Sequence, residues 1–579
     1  MRRPLRWILS FLAGLGLAMV CWSAVNLASI GSSSARDFQA SQPAPPIASP
    51  GSLLPQGSEQ IAALRKRASR PETPGPIGYI GDVVTYHYDV GRKGFTQYET
   101  VLTPANVNSN SFGLLAFFPV DGKVDAQPLY LYRVPIGPNI HNVLYVVTEN
   151  DSVYAFDADH GQTLWQTSAV PPGETASDDF GCLNLAPTIG ITATPVIDRQ
   201  RGAIYFVAMT EDYSGTYHQR LHALDIITGA ELFGGPTEIA ATYPGSGDGS
   251  QNGRVIFDPK QYLERASLLE VGGKIYITFA SHCDIRPYTA WVMAYDPGTL
   301  KQTSVMDLTP NGNAGGIWMS GGGPAADPQG SIYLLMGNGT LDTTLDGNGM
   351  PIYGDYGNAF VKLSASPQLA VADYFAMYDA NQESDDDADL GSGGPLVLPS
   401  LYDNNGQIHR LAVGAGKDGN IYVVNRDNMG KFNPNNDSAI YQEIDAVFEY
   451  GLFATPAYYN NTLYFGDVYG TLKAFSITNA MLSTSPTSQT STVFQYPGTT
   501  PSVSANLGSN AIVWAVENNV PAVLHAYDAT NLARELYNSN QSGSRDQFGP
   551  GNKFITPVIV NGKVFVGTQT GVAEFGLLQ

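Results

Sequence analysis

The sequence predicts an all-β protein, an eight-bladed β-propeller of four-stranded antiparallel blades. A strand-turn-strand unit recurs along most of the chain, the composition favours strands and turns, and the two ends of the repeat array are complementary fragments of one unit. A seven-bladed ring is the alternative, because the fourth and fifth copies carry the longest insertions.

The chain has 579 residues, of which 43% are hydrophobic, 11% aromatic and only 14% charged, with 62 Gly and 38 Pro. Such a chain has many turns and β-formers, whereas a helical bundle would need more Glu, Lys, Leu and Ala. A net charge of -21 repels phosphate backbones, so nucleic acid is excluded as a partner.

Arg2, Arg3 and Arg6 precede an uncharged apolar run from Trp7 to Val25. That layout marks residues 1-30 as a signal peptide or N-terminal membrane anchor and places the protein outside the cytoplasm: periplasmic, cell-surface or secreted. Membrane contact is expected only through this segment. Residues 31-77, as in "SQPAPPIASPGSLLPQGS", are too poor in apolar side chains to fold alone and read as a linker, with one short helix starting at Ser58. The propeller is assigned to residues 78-579.

The first full copy, "VLYVVTENDSVYAFDADHGQTLW" at 143-165, reads as a strand, a polar turn, a second strand, then Asp-x-x-x-Gly and Trp165. "GAIYFVAMT" with "LHALDIITGAELF", "GKIYITFAS" with "VMAYDPGTL", and "GSIYLLMGNGT" with "AFVKLSAS" repeat it. Four later copies run to "KVFVGTQTGVAEFG". Aligned, one strand position reads Tyr145, Tyr205, Tyr276, Tyr333, Ala412, Tyr464, Trp514 and Phe565. "TATPVID", "GGGPAAD", "SGGPLVLP", "FATPAYY" and "ITPVIV" announce a strand before each hairpin, and the Trp or Phe after Asp-x-x-x-Gly begins a fourth. The last copy stops without a fourth strand, while "FGLLAFFPVDG" near residue 112 is an orphan fourth strand ahead of the first copy. Joining them closes the ring. Asp157, Asp225, Asp296 and Asp528 are read as turn-builders, Gly161 and Gly229 as positive-φ positions, and Trp165 as packing between blades.

The pattern Ala155, Asp157, Gly161 and Trp165, with "TPVI" and "GKVFVGT", resembles the pyrroloquinoline-quinone-type (PQQ-like) repeat of quinoprotein alcohol dehydrogenases. That resemblance implies the propeller fold. It also raises pyrroloquinoline quinone and calcium as cofactors, for oxidation of an alcohol or sugar. The family's adjacent Cys-Cys is missing here, and its calcium-binding Glu and Asn and catalytic Asp match no local motif. With no Cys-x-x-Cys-His in the chain, a c-type haem is not expected.

Residues just ahead of the innermost strands converge on a propeller's axis. They supply the axial ligand-binding candidates: Asp125, Gln127, Thr192, Thr194, Trp318, Ser320, Asp389, Ser392, Thr455, Ser504, Lys553 and Thr556. Their small and polar character suits either a ligand funnel or a water-filled channel. Trp318 offers a flat indole for stacking on a quinone or sugar. Oxygen-rich loops make Asp342, Asp346, Asn348, Asp385 and Asp387 candidate calcium ligands, and Cys182 and Cys283 form the candidate disulfide. No zinc, phosphate-loop or nucleophile-elbow motif is present in a suitable context.

The leading expectation is a propeller that acts as a binding or protein-interaction platform, meeting a protein, small-molecule or carbohydrate ligand at one face. A PQQ/calcium-dependent quinoprotein dehydrogenase is the alternative. Carbohydrate cleavage by paired carboxylates in the axial funnel is the third reading.

Overall fold

The computed structural model describes residues 81-183 and 185-578. The expected leader 1-30, the linker 31-77 and the helix from Ser58 lie outside the described residues. Eight sheets follow one another around a ring, each built on four antiparallel strands stacked outward from the axis. Blade 1 comprises Leu129–Ile136, Asn139–Val147, Ser152–Asp157 and Thr163–Ser168. Blades 2 to 7 begin with the innermost strands Val196–Asp198, Leu269–Val271, Ala325–Ala326, Leu396–Val397, Ala457–Tyr459 and Ser502–Asn506. Blade 8 is shared between the ends of the ring. Val558–Val560, Lys563–Gly567 and Gly571–Leu577 are completed by Phe112–Pro119, with Phe112 opposite Leu577 and Pro119 opposite Gly571.

The aromatic repeat position occupies the same register in every blade. Tyr145 lies opposite Leu129, Tyr205 opposite Val196, Tyr464 opposite Ala457 and Phe565 opposite Val558. On the other side Tyr145, Tyr205, Tyr276, Tyr464 and Trp514 each face an alanine, which leaves room for the ring above the sheet. These side chains are buried and join one blade to the next. The hydroxyls of Tyr145, Tyr205 and Tyr464 donate to the carbonyls of Ile226, Pro297 and Ala529 at 2.8, 2.9 and 2.8 Å. Each acceptor directly follows the repeat aspartate of the next blade. In blade 8, where Phe565 has no hydroxyl, Lys563 donates to Ala158 O of blade 1; in blade 4 the Tyr333 hydroxyl donates instead to Asp327 Oδ2 at 2.9 Å, and Lys362 donates to Arg426 O at 2.6 Å.

The aspartates build the turns that present those carbonyls. Asp157 Oδ1 accepts the N–H groups of Asp159 and His160 at 2.8 and 2.9 Å, and Asp225 Oδ1 those of Ile227 and Thr228 at 2.9 Å. Gly229 has φ 70° and lies under Trp165, whose ring stands 2.7 Å from where a Cβ would be. Trp165 thus packs across the first blade boundary.

The axis is filled at one end by chain that belongs to no repeat. Between Val83 and Phe95 the backbone follows the inner edges of the blades. Val83 pairs with Tyr130 of blade 1, and Val84 O accepts from Ile197 of blade 2. Val90, Gly91, Lys93 and Gly94 carbonyls accept from Ala326, Val397, Tyr458 and Val503 of blades 4 to 7. The Tyr88 hydroxyl takes the N–H of Ile559 in blade 8, and Arg92 Nη2 donates to Leu268 O ahead of blade 3. All eight blades are therefore tied to one segment. Thr85, His87 and Arg92 within it are fully buried. Arg92 spends its donors on Pro324 O, Leu268 O, Tyr86 O and Thr85 Oγ1 at 2.7 to 3.0 Å. Burial lowers its pKa to about 10, so it remains a cation at neutral pH.

Candidate functional site

All innermost strands start at the same face, and the turns leading into them surround a funnel whose floor is the axial segment. The structure divides the axial candidates into a floor and a wall. Gln127 holds the segment, accepting His87 N–H at 3.0 Å, while its own N–H donates to Thr194 Oγ1 at 2.9 Å. Ser320 and Ser392 donate to Ser392 O and Leu452 O at 2.6 and 2.7 Å, and Thr455 and Thr556 face the Tyr86 phenol. Ser504 lies inside its strand, accepting from Trp514 Nε1 at 2.9 Å. Gln127, Ser320, Ser392 and Ser504 are thus spent on the scaffold, while the Thr455 and Thr556 hydroxyls are buried without a hydrogen-bond partner among the described residues.

Asp125, Thr192, Trp318, Asp389 and Lys553 form the wall, together with residues the repeat pattern does not single out. Trp318 Nε1 donates to Asp389 Oδ2 at 3.0 Å. Lys417, from the turn of "GAGKDGNIY", bonds Asp389 Oδ1 at 2.7 Å and Asp387 Oδ1 at 2.5 Å. Its ammonium stands 5.5 Å from the Trp318 ring centre and 6.0 Å from that of Phe453. Burial opposes the charge on Lys417, but the carboxylates of Asp389 and Asp387 outweigh it and hold the ammonium above the usual lysine range. Asp389, 1% exposed, is pushed up by burial against the pull of that lysine.

The aromatic wall continues outward. Phe453 and Phe554 meet the indole edge-on at 5.8 and 6.3 Å, and Phe453 meets Tyr496 at 5.6 Å. Arg265 lies 5.1 Å from the Phe554 ring and Lys553 5.4 Å from that of Tyr496. On the side of blades 1 and 2, Thr192 Oγ1 donates to Glu149 Oε2 at 2.9 Å, and burial plus the neighbouring Asp125 raise the Glu149 carboxyl well above its ordinary range. A pocket of about 320 Å³ opens beside this wall, bordered by Lys123, Tyr496, Lys553 and the loop carrying Leu183 and Ala186. That loop is fixed by a disulfide between Cys182 and Cys283, which are 101 positions apart in sequence and have Cα atoms 6.0 Å apart.

The calcium candidates are not gathered into one place. Asp342 accepts the N–H groups of Thr344 and Tyr353 at 2.8 and 2.7 Å, and Asp346 those of Asn348 and Met350 at 2.8 and 2.9 Å. Asp385 ends the short helix Ala380–Asp385, and Asp387 bonds Asn338 Nδ2 besides Lys417. Among the described residues no three His, Cys, Asp or Glu side chains are placed to hold a metal ion. Lys417, Arg265, Glu149 and Tyr496 escape a reading of strand starts because they come from other turns and linkers, and Phe453 and Phe554, which stand beside Thr455, Lys553 and Thr556 in regular approaches, escape a search for polar residues because they are apolar.

No protein-family model matches the sequence, and no curated protein matches it. Solved structures do match the fold. The quinohemoprotein alcohol dehydrogenase from Comamonas testosteroni aligns with TM-score 0.55 at 13% identity, over 90% of this chain and 84% of its own. Quinohemoprotein alcohol dehydrogenase ADHIIG from Pseudomonas putida HK5 gives 0.56 at 13%, over 88% and 83%. A europium-containing methanol dehydrogenase gives 0.56 at 12%, over 90% and 100%. At such identities the likeness is one of fold. The chain shares with these structures the eight-bladed β-propeller fold.

Proposed function

We propose that the protein is an extracytoplasmic binding propeller whose axial funnel takes a small, polar, ring-shaped ligand. The observation that carries this reading is Trp318: a half-buried indole in the funnel wall, fixed by Asp389 and flanked by Lys417, Phe453 and Phe554. A flat ring with a carboxylate and an ammonium at its side is how binding sites combine apolar contact with orientation. The closed floor supports a dead-end site rather than a through-channel. The Cys182–Cys283 disulfide supports an oxidising compartment.

The quinone-and-calcium pairing of the resembling dehydrogenases does not fit these residues. Asp387 and Asp389 already hold the Lys417 ammonium at 2.5 and 2.7 Å, so a divalent ion there would meet a resident cation. The adjacent-cysteine cover is missing from the sequence as well.

The test follows tryptophan fluorescence of wild type and Trp318→Ala during titration with aldoses, hexuronates and pyrroloquinoline quinone, with and without calcium, while assaying dye reduction. A saturable change with a ring ligand, lost in Trp318→Ala, together with no dye reduction is the expected result. Identical titrations would remove the indole from the site. Calcium-dependent dye reduction would instead establish the dehydrogenase alternative.

A further inference from the structure

The pocket beside the aromatic wall has a lining that contradicts the rest of the molecule. In a chain of net charge -21 it is bordered by two lysines, three primary amides and a phenol ring, with no carboxylate among its lining residues. Lys123 is partly engaged, donating to Leu185 O at 3.2 Å with Asp125 at 3.8 Å. Lys553 has no ion pair and no hydrogen bond among the described residues, and its ammonium stands 5.4 Å from the ring of Tyr496. Burial lowers its pKa, and the like charges of Lys123 and Arg265 lower it further. A group placed so is stabilised by any anion that enters.

The amides define what else enters. Asn552 Nδ2 donates to Val124 O at 3.3 Å, Gln569 Nε2 to Gly551 O at 2.8 Å and Asn518 Nδ2 to Gly498 O at 3.4 Å. One N–H of each amide is thus spent on backbone, and each amide keeps its oxygen as an acceptor; Asn518 Oδ1 is buried with no partner. Acceptors of this kind call for hydroxyl donors on the ligand. Tyr496, 43% exposed, offers a ring face on which the C–H face of a sugar packs. A phosphate has no C–H face for Tyr496 and would set its own acceptor oxygens against the amide oxygens. The volume of about 320 Å³ lies at the small end of ligand pockets and suits one ring rather than a chain of them.

We propose that this pocket binds a hexuronate, a sugar ring bearing a carboxylate, with Lys553 and Lys123 holding the carboxylate, the amide oxygens taking hydroxyls and Tyr496 covering the ring. The proposal names the ligand class of the funnel and rests on the reading of the funnel as a small-molecule site.

Isothermal titration of the purified full chain with glucuronate, glucose and inorganic phosphate, for wild type, Lys553→Gln, Lys553→Arg and Trp318→Ala, tests it. Glucuronate is expected to bind at least about tenfold tighter than glucose or phosphate and to weaken in about 0.5 M salt. Lys553→Gln should lose about tenfold or more and Lys553→Arg recover most of it. Because burial and neighbouring cations disfavour the Lys553 charge and no ion pair repays it, the melting temperature of Lys553→Gln should be no lower than that of wild type, which separates lost recognition from lost fold. Glucuronate binding unchanged in Lys553→Gln, or phosphate bound as tightly, overturns the pocket. Ring ligands that quench Trp318 without any preference for glucuronate would also sink the pocket while leaving the funnel standing. Tight glucuronate binding that ignores Trp318→Ala but needs Lys553 would do the reverse.

Discussion

At the scale of single residues, the blade-to-blade joint is one hydroxyl meeting one carbonyl. Tyr205 shows it most simply: the ring is fully buried, its hydroxyl donates to Pro297 O at 2.9 Å, and no second donor meets that carbonyl among the described residues. Tyr205→Phe keeps the packing and leaves the carbonyl unmatched, so it should cost about 1 to 2 kcal/mol in denaturant unfolding. Tyr145→Phe should cost less, because Trp165 Nε1 also reaches Ile226 O, at 3.3 Å. Equal losses at the two positions would show that the rings matter and the hydroxyls do not. The aromatic position was legible in the sequence because it recurs. Its partner was not, since a backbone carbonyl leaves no mark in residue type. The same reason hides Lys563 and Lys362, which reach the corresponding carbonyls from neighbouring positions.

At the scale of elements, two segments outside the hairpin repeat hold the ring, and they differ in legibility. Phe112–Pro119 carries the alternation of a strand and supplies what the last copy lacks, so its pairing with Gly571–Leu577 could be read from pattern alone. Phe112 anchors it, fully buried against Tyr537, Trp514 and Phe575 with ring centres 5.0, 5.5 and 6.2 Å apart. Phe112→Ala should destabilise the protein by about 3 to 5 kcal/mol and speed unfolding, measured by chemical denaturation. A loss under about 1 kcal/mol would mean that the ring does not depend on this closure. Val83–Phe95 has no such signature. Its contacts run through its own backbone, and through the Tyr88 and Arg92 side chains, to strands up to several hundred residues away, and "VVTYHYDVGRKGF" shows neither repeat nor period. A sequence reading therefore leaves the axis open where the chain itself fills it. The floor hydroxyls at Thr194, Ser320 and Ser392 were found by position, yet their partners belong to the scaffold.

At the scale of the whole molecule, buried carboxyls make stability depend on pH in a direction opposite to that of most surface ion pairs. Burial, aided by Asp198, raises Glu270 to about 8; burial raises Asp307 and Asp418 to about 7. Each would titrate near about 4 in the unfolded chain. Between those values the folded state holds protons that the unfolded state has released, so stability falls as pH rises, and the contribution is fully present only below about 4. His525 adds the same sign: burial opposes its charge, but Glu517 and Glu535 at 2.8 Å on either side raise its pKa, a contribution lost as pH rises through that value. Carboxylates held low, such as Asp157 and Asp546, finish titrating below about 4 and do not oppose this trend at neutral pH. The melting temperature should therefore be higher at about pH 5.5 than at about pH 8.5, and Glu270→Gln should flatten part of that slope because its amide stays neutral throughout. A melting temperature that rises across the same interval would mean that these carboxyls are ionised in the folded protein.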